Sequence, residues 1–252
     1  MRRVFGALLL LLLSLPSTAI IVRHDQSARV SNTEGSELRA IGKVLPDGES
    51  VLVAPEWVLT AAHVATGAPL SRLRVRFFGI DYRVVEVVAY PDWKPGDNDI
   101  ALMRLAQPVA RVQPFAIDYT ASLIPGESRL WLAGRGDFGD GLKGVVGNDG
   151  GMRLAQNLLA ELSDGRIIIK MEAPDAGAIA REGISGPGDS GTPILLRSEV
   201  GYRVVGIGSV GATPDGVRYG QYGSEDCFIR VAHVESWLEK TIREASANSG
   251  ED

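Results

Sequence analysis

Three short segments of the chain carry residue types that together make an activated nucleophile. "LTAAHV" holds His63, "DNDIALMRL" holds Asp99 and "GPGDSGTP" holds Ser190. A serine hydroxyl alone is a weak nucleophile. It attacks a carbonyl when an imidazole takes its proton and a buried carboxylate fixes the tautomer of that imidazole and stabilises its charged form. Gly186, Gly188 and Gly191, with Pro187 and Pro193, rule out a regular helix around Ser190 and argue against an ordinary strand. They suit a sharp loop, either a plain surface turn or one that holds the hydroxyl beside backbone N–H donors. His24 and His233 have no matching context and read as structural, and Asp97 reads as a solvated loop acid.

Short strands are the elements available to position these residues. The chain has 252 residues, of which 30 are glycine and 6% aromatic, which favours strands and turns over long helices. "SVLVAPEWVLTAAHV" (50–64) reads as two apolar strands around a Pro-Glu turn that lead into His63. "RLRVRFFG" (72–79) and "YRVVEVVAY" (82–90) alternate as half-buried strands do, and "DIALMRLA" (99–106) is another strand. Residues 107–127 carry three prolines and read as a connector. A second group follows: "SRLWLAG", "GMRLAQNLLAEL", "GRIIIKME", "TPILLRS", "YRVVGIGSVG" and "CFIRVAHV". The glycine-rich segment 134–151 reads as an exposed, mobile loop. "HVESWLEKTIREA" (233–245) puts Val234, Trp237, Leu238 and Ile242 on one helical face. Two strand groups, a connector and a terminal helix predict an all-β fold of two small antiparallel barrels.

Residues 1–19 combine two arginines, a short apolar run and a small-residue end, the layout of a secretory signal peptide. The run is about half the roughly 20 residues that span a bilayer. Removing residues 1–19 takes the net charge from −5 to −7, which gives no general attraction to nucleic acid or anionic lipid. No basic run, metal-ligand spacing or phosphate-cradling loop is present, so no metal or cofactor is expected. Cys227 is the only cysteine. It reads as a small buried hydrophobe, and no disulfide within the chain can hold the fold.

On the order His63, Asp99, Ser190 and on "PEWVLTAAH", "NDIALMRL" and "GDSGTP", the sequence resembles the trypsin/chymotrypsin family of serine proteases from about Ile20 to Leu238. Thr192 departs from that family's pattern, which has glycine there. The resemblance implies two six-stranded antiparallel β-barrels, chymotrypsin-like, with a C-terminal α-helix. The chain then divides into a signal peptide (1–19), an N-terminal barrel (20–120), a C-terminal barrel (121–232) and a helix with a polar tail (233–252). It further implies His63 as general base and then acid, Asp99 as its orienting carboxylate, Ser190 as nucleophile, and the N–H groups of Gly188 and Ser190 as an oxyanion hole. Ser209 and Gly211 of "GSVG" fall where the family lines its cleft; Val210 replaces a tryptophan there. The expected partner is a polypeptide substrate, with no nucleic acid and no membrane after signal cleavage.

Two further expectations follow from the resemblance. Ile184 falls at the floor of the specificity pocket and Asp226 at its side wall, where a carboxylate would select Lys and Arg; otherwise Asp226 belongs to a solvated turn, "GSED", and Ile184 sets an apolar preference. Cleavage after Ala19 exposes Ile20, whose ammonium pairs with Asp189; otherwise residues 20–22 form a frayed or edge strand. The whole describes a secreted or periplasmic endopeptidase. A catalytically inactive binding protein on the same fold is the alternative, and the roughly 20 residues after the last strand are too few for an added peptide-binding module.

Overall fold

The computed structural model describes residues 20–26 and 38–248, with side chains to residue 244. The expected signal peptide lies outside the described residues. A three-residue strand, β1 (Ile20–Val22), comes first. Six strands then build the first barrel: β2 (Ile41–Leu45), β3 (Glu49–Ala54), β4 (Trp57–Thr60), β5 (Arg74–Phe77), β6 (Ile80–Ala89) and β7 (Ala101–Leu105). They close in the order β2-β3-β4-β7-β6-β5, with neighbouring strands antiparallel. Val44, Val51, Leu59, Val75, Phe77 and Leu102 fill the interior. Each such side chain contributes about 1.5–3 kcal/mol on burial. Gly42 has no side chain because a Cβ there would lie 2.6 Å from the Phe77 ring. One helical turn, α1 (Ala62–Thr66), leaves this barrel and carries His63.

The connector pairs with the second half through β8 (Ala116–Ile117), which runs parallel to a strand of that half. The second barrel uses β9 (Arg129–Gly134), followed in the chain by a hairpin of β10 (Phe138–Asp140) and β11 (Gly144–Gly147). Then come β12 (Arg153–Leu162), β13 (Arg166–Lys170), β14 (Gly183–Ile184), β15 (Pro193–Ser198), β16 (Gly201–Ala212) and β17 (Glu225–Arg230). The order β15-β9-β12-β13-β17-β16 is closed by the β15–β16 pairing, giving a second six-stranded antiparallel ring. The expected all-β architecture of two barrels is therefore present. The expected helix is also present: after a turn at Val231–Val234, α2 (Glu235–Asn248) buries Leu238 and sets Trp237 edge-on to Tyr90, 5.3 Å between ring centres.

Two segments differ from expectation. Residues 134–151 are not an open loop, because β10 and β11 form a hairpin within them. β1 is neither frayed nor at an edge. It runs parallel to β10 and antiparallel to β14, in the sheet order β11-β10-β1-β14. Ile20 and Ile21 have no exposed surface.

Candidate active site

His63 and Asp99 belong to the first barrel and meet at its edge. α1 follows directly on β4, and Asp99 precedes β7, the strand paired with β4. That pairing brings residues 36 apart in sequence into contact. The backbone N–H of His63 donates to Asp99 Oδ1 at 2.9 Å, and its Nδ1 lies 2.7 Å from Oδ2. With Nδ1 held, Nε2 is the nitrogen left to exchange a proton. The Ser209 hydroxyl, from β16 of the second barrel, donates to the same Oδ2 at 2.6 Å and accepts from the N–H of Gly96 at 2.9 Å. Burial of Asp99 pushes its carboxyl up, but the hydrogen bonds from His63 and Ser209 outweigh this and hold it below the usual carboxylate range.

Ser190 comes from the loop before β15. Gly188 (φ 87°) and Gly191 (φ 85°) both lie in the left-handed region on either side of it. A Cβ on Gly191 would sit 2.2 Å from Thr60 Oγ1 and 2.3 Å from the Glu49 carbonyl, so only glycine lets the loop press against the first barrel. The Glu49 N–H donates to the Ser190 carbonyl at 2.7 Å and pins the loop there. Among the described residues, the N–H groups of Gly188 and Ser190 have no hydrogen-bond partner. Thr192 turns its hydroxyl to the Ala133 carbonyl of β9, which explains how a threonine is accommodated. His63 and Ser190 line one cavity of about 640 Å³ with Ser209, Gly211, Tyr219 and Asp226. No hydrogen bond closes between Ser190 and His63 among the described residues. Catalytic contacts often tighten only once substrate is bound.

Behind the Ser190 loop lies a cluster of which the sequence disclosed only Asp189. Asp189 is buried and accepts from the N–H groups of Gly136 (2.6 Å) and Gly186 (2.8 Å). Its burial, with the Glu49 carboxyl beside it, pushes it up to about 7. Glu49 has no exposed surface; burial pushes it up too, against the pull of Arg135, whose Nη1 donates to Oε2 at 2.8 Å, and of Lys43. Ile20 lies opposite Phe138 in β10, two residues beyond the Gly136 amide that holds Asp189.

The specificity-pocket residues separate. Ile184 is fully buried in the core of the second barrel, where its backbone pairs with Ile21, and it does not line the cavity. Asp226 does line it, but is only 2% exposed. Its Oδ2 accepts from the Ser185 N–H at 2.7 Å, and its Oδ1 accepts from the Tyr219 hydroxyl. Burial pushes Asp226 up to about 6 in spite of those donors. Val210 and Cys227 also border the cavity; burial pushes the Cys227 thiol up, away from a reactive thiolate. His24 and His233 do not line it: His24 faces the Tyr222 hydroxyl and His233 faces Asp164. Asp97 is part-exposed and pairs with Lys94 and Arg166.

Comparison with known proteins places the chain among serine proteases. The family model described as Trypsin matches residues 47–238. "Serine protease 56" of Homo sapiens is 28% identical over 211 residues, which cover 78% of this chain and 35% of that protein. "Calcium-dependent serine proteinase" of Mesocricetus auratus is 26% identical over 250 residues, covering 81% of this chain and 33% of that protein. The chain thus spans about a third of the length of these relatives.

Proposed function

The chain belongs to the trypsin family of serine proteases, and from that premise we propose that it is an exported endopeptidase that cleaves polypeptides through His63, Asp99 and Ser190. The observation that carries the proposal is the Ser209–Asp99–His63 chain of hydrogen bonds opening on the cavity that Ser190 shares. In the first half-reaction Ser190 Oγ attacks the substrate carbonyl carbon and its proton passes to His63 Nε2. The carbon–nitrogen bond breaks, the leaving amine takes that proton, and an ester to Ser190 remains. Water then attacks the ester, gives one proton to His63 and releases the acid, while Ser190 Oγ recovers its proton. Asp99 stays ionised, keeps the imidazole oriented and stabilises its charged form. The free N–H groups of Gly188 and Ser190 stabilise the oxyanion, each worth roughly 2.7–4 kcal/mol in the transition state. Gly211 pairs with the substrate backbone by strand addition.

The same reading covers maturation. Cleavage after Ala19 frees the Ile20 ammonium, and the buried place of Ile20 beside β10 supports its pairing with Asp189. A cation there ionises a carboxyl otherwise pushed up to about 7.

Reaction of the purified, exported protein with a fluorophosphonate tests the function. Labelling of wild type at Ser190, absent in Ser190→Ala and weak in His63→Ala, is the expected result. No labelling of wild type makes the chain an inactive binding protein on a protease fold.

A further inference from the structure

Asp226 does not present a bare carboxylate to the cavity; an aromatic ring stands over it. Tyr219 belongs to the stretch between β16 and β17, and its ring reaches back into the cavity that holds Ser190. On one wall it lies against Gly211: a Cβ at that glycine would fall 2.1 Å from Tyr219 Cε2 and 2.6 Å from Cζ. On the other wall its hydroxyl is 3.2 Å from both the carbonyl and the Oγ of Ser185. At the base it donates to Asp226 Oδ1. The ring therefore spans the space between the two walls.

We propose that Tyr219 fills the specificity pocket and restricts the side chain next to the cleaved bond to small, uncharged residues, with Asp226 serving to anchor Tyr219. The inference rests on the reading of the chain as a peptidase. Two physical arguments lead to it. The first is space: no side chain passes between Gly211 and a ring already in contact with it, so the ring takes up room between Gly211 and Ser185 that a long substrate side chain would need. The second is charge. A Lys or Arg side chain repays its own desolvation only by reaching a carboxylate. Asp226 is 2% exposed and both of its oxygens already accept hydrogen bonds. A basic side chain would have to expel the tyrosine hydroxyl first.

Two readouts test this, one of which needs no turnover. p-Aminobenzamidine, a flat cation that gains fluorescence in an apolar slot beside a carboxylate, is titrated against wild type, Tyr219→Phe, Tyr219→Ala and Tyr219→Ala/Asp226→Asn. Wild type and Tyr219→Phe, which keeps the ring, should bind at least tenfold more weakly than Tyr219→Ala, and the double variant should lose the gain. Alongside, wild type is assayed on peptide amides that differ only in Ala, Val, Phe, Lys or Arg before the cleaved bond. Ala and Val should exceed Lys and Arg by tenfold or more, with the order reversed in Tyr219→Ala. Tight binding of the cation by wild type, or wild-type preference for Lys and Arg, overturns the proposal whether or not Tyr219→Ala folds. Failure of fluorophosphonate to label wild type instead overturns the peptidase reading and leaves the binding comparison to decide the role of Tyr219.

Discussion

The Ser209 hydroxyl and the His63 ring share one oxygen, Oδ2 of Asp99, at 2.6 and 2.7 Å. The second barrel thereby reaches across to a residue of the first and helps keep its carboxylate charged. Ser209→Ala removes a hydrogen bond to a charged acceptor, of the kind worth about 1.5–3 kcal/mol. We expect turnover to fall by about tenfold or more, equivalent to about 1.4 kcal/mol. The pH dependence has a definite sign. Asp99 is held below its ordinary value, so its contribution to stability is full above the unfolded value and is lost as pH falls through the folded one. Without Ser209 the carboxyl protonates earlier, and acid unfolding should begin at a higher pH in Ser209→Ala. Far-UV circular dichroism along an acid titration checks this; coincident curves would show that Ser209 does not tune Asp99.

Asp189 gives the opposite slope. Its value is raised from 3.8 to about 7, so the folded state favours the protonated form. That stability is present below the unfolded value and declines as pH rises from about 4 towards 7. At 1.36 kcal/mol per pKa unit the loss amounts to a few kcal/mol. A chain carrying extra residues before Ile20 should therefore melt at progressively lower temperature between pH 4 and 7. A chain beginning at Ile20, with its ammonium available to Asp189, should show a flatter profile and higher activity. Equal slopes in the two forms would separate Ile20 from Asp189.

Gly191→Ala should disrupt the fold around Ser190. The new Cβ would meet the Glu49 carbonyl at 2.3 Å, a backbone atom that cannot swing aside, at a φ of 85°. Left-handed backbone alone costs a non-glycine residue about 1–3 kcal/mol, and the clash adds to it. Urea denaturation should show a lower midpoint, and fluorophosphonate labelling should be lost with it.

The three motifs that carry His63, Asp99 and Ser190 and the long alternating strands were legible because each is a local pattern. The small sheet around β1 was not. Its members have two to four residues, and β1 meets β10 across more than a hundred residues of chain. The glycines of 134–151 looked like signs of an open loop, yet several permit close contact: a Cβ on Gly139 would fall 1.8 Å from the Gly144 carbonyl. Glu49 opens an apolar strand, and nothing in the sequence points to Arg135 as its partner. Ile184 was placed at the pocket floor by the resemblance alone, six residues before Ser190, without β1, whose pairing with β14 sets Ile184 in the core. Tyr219 lies in a run of turn residues, and only the folded chain sets its ring against Gly211.

Gly188→Ala should separate catalysis from stability. Gly188 is also left-handed, at φ 87°, but a Cβ there meets Gly136 Cα at 3.3 Å and Asp47 Oδ1 at 3.4 Å, contacts that small shifts relieve. The fold should survive, with a midpoint lowered by about the 1–3 kcal/mol of a strained residue. The easiest relief of that strain is rotation of the peptide, which turns the N–H of residue 188 away from the substrate carbonyl. Loss of one such donor lowers kcat by about 10²–10³. Because the donor acts on the developing oxyanion, KM should change far less than kcat. Steady-state kinetics on a single peptide amide, with urea denaturation of the same preparation, resolves the two effects. Unchanged kcat in a folded Gly188→Ala would remove this N–H from the oxyanion hole.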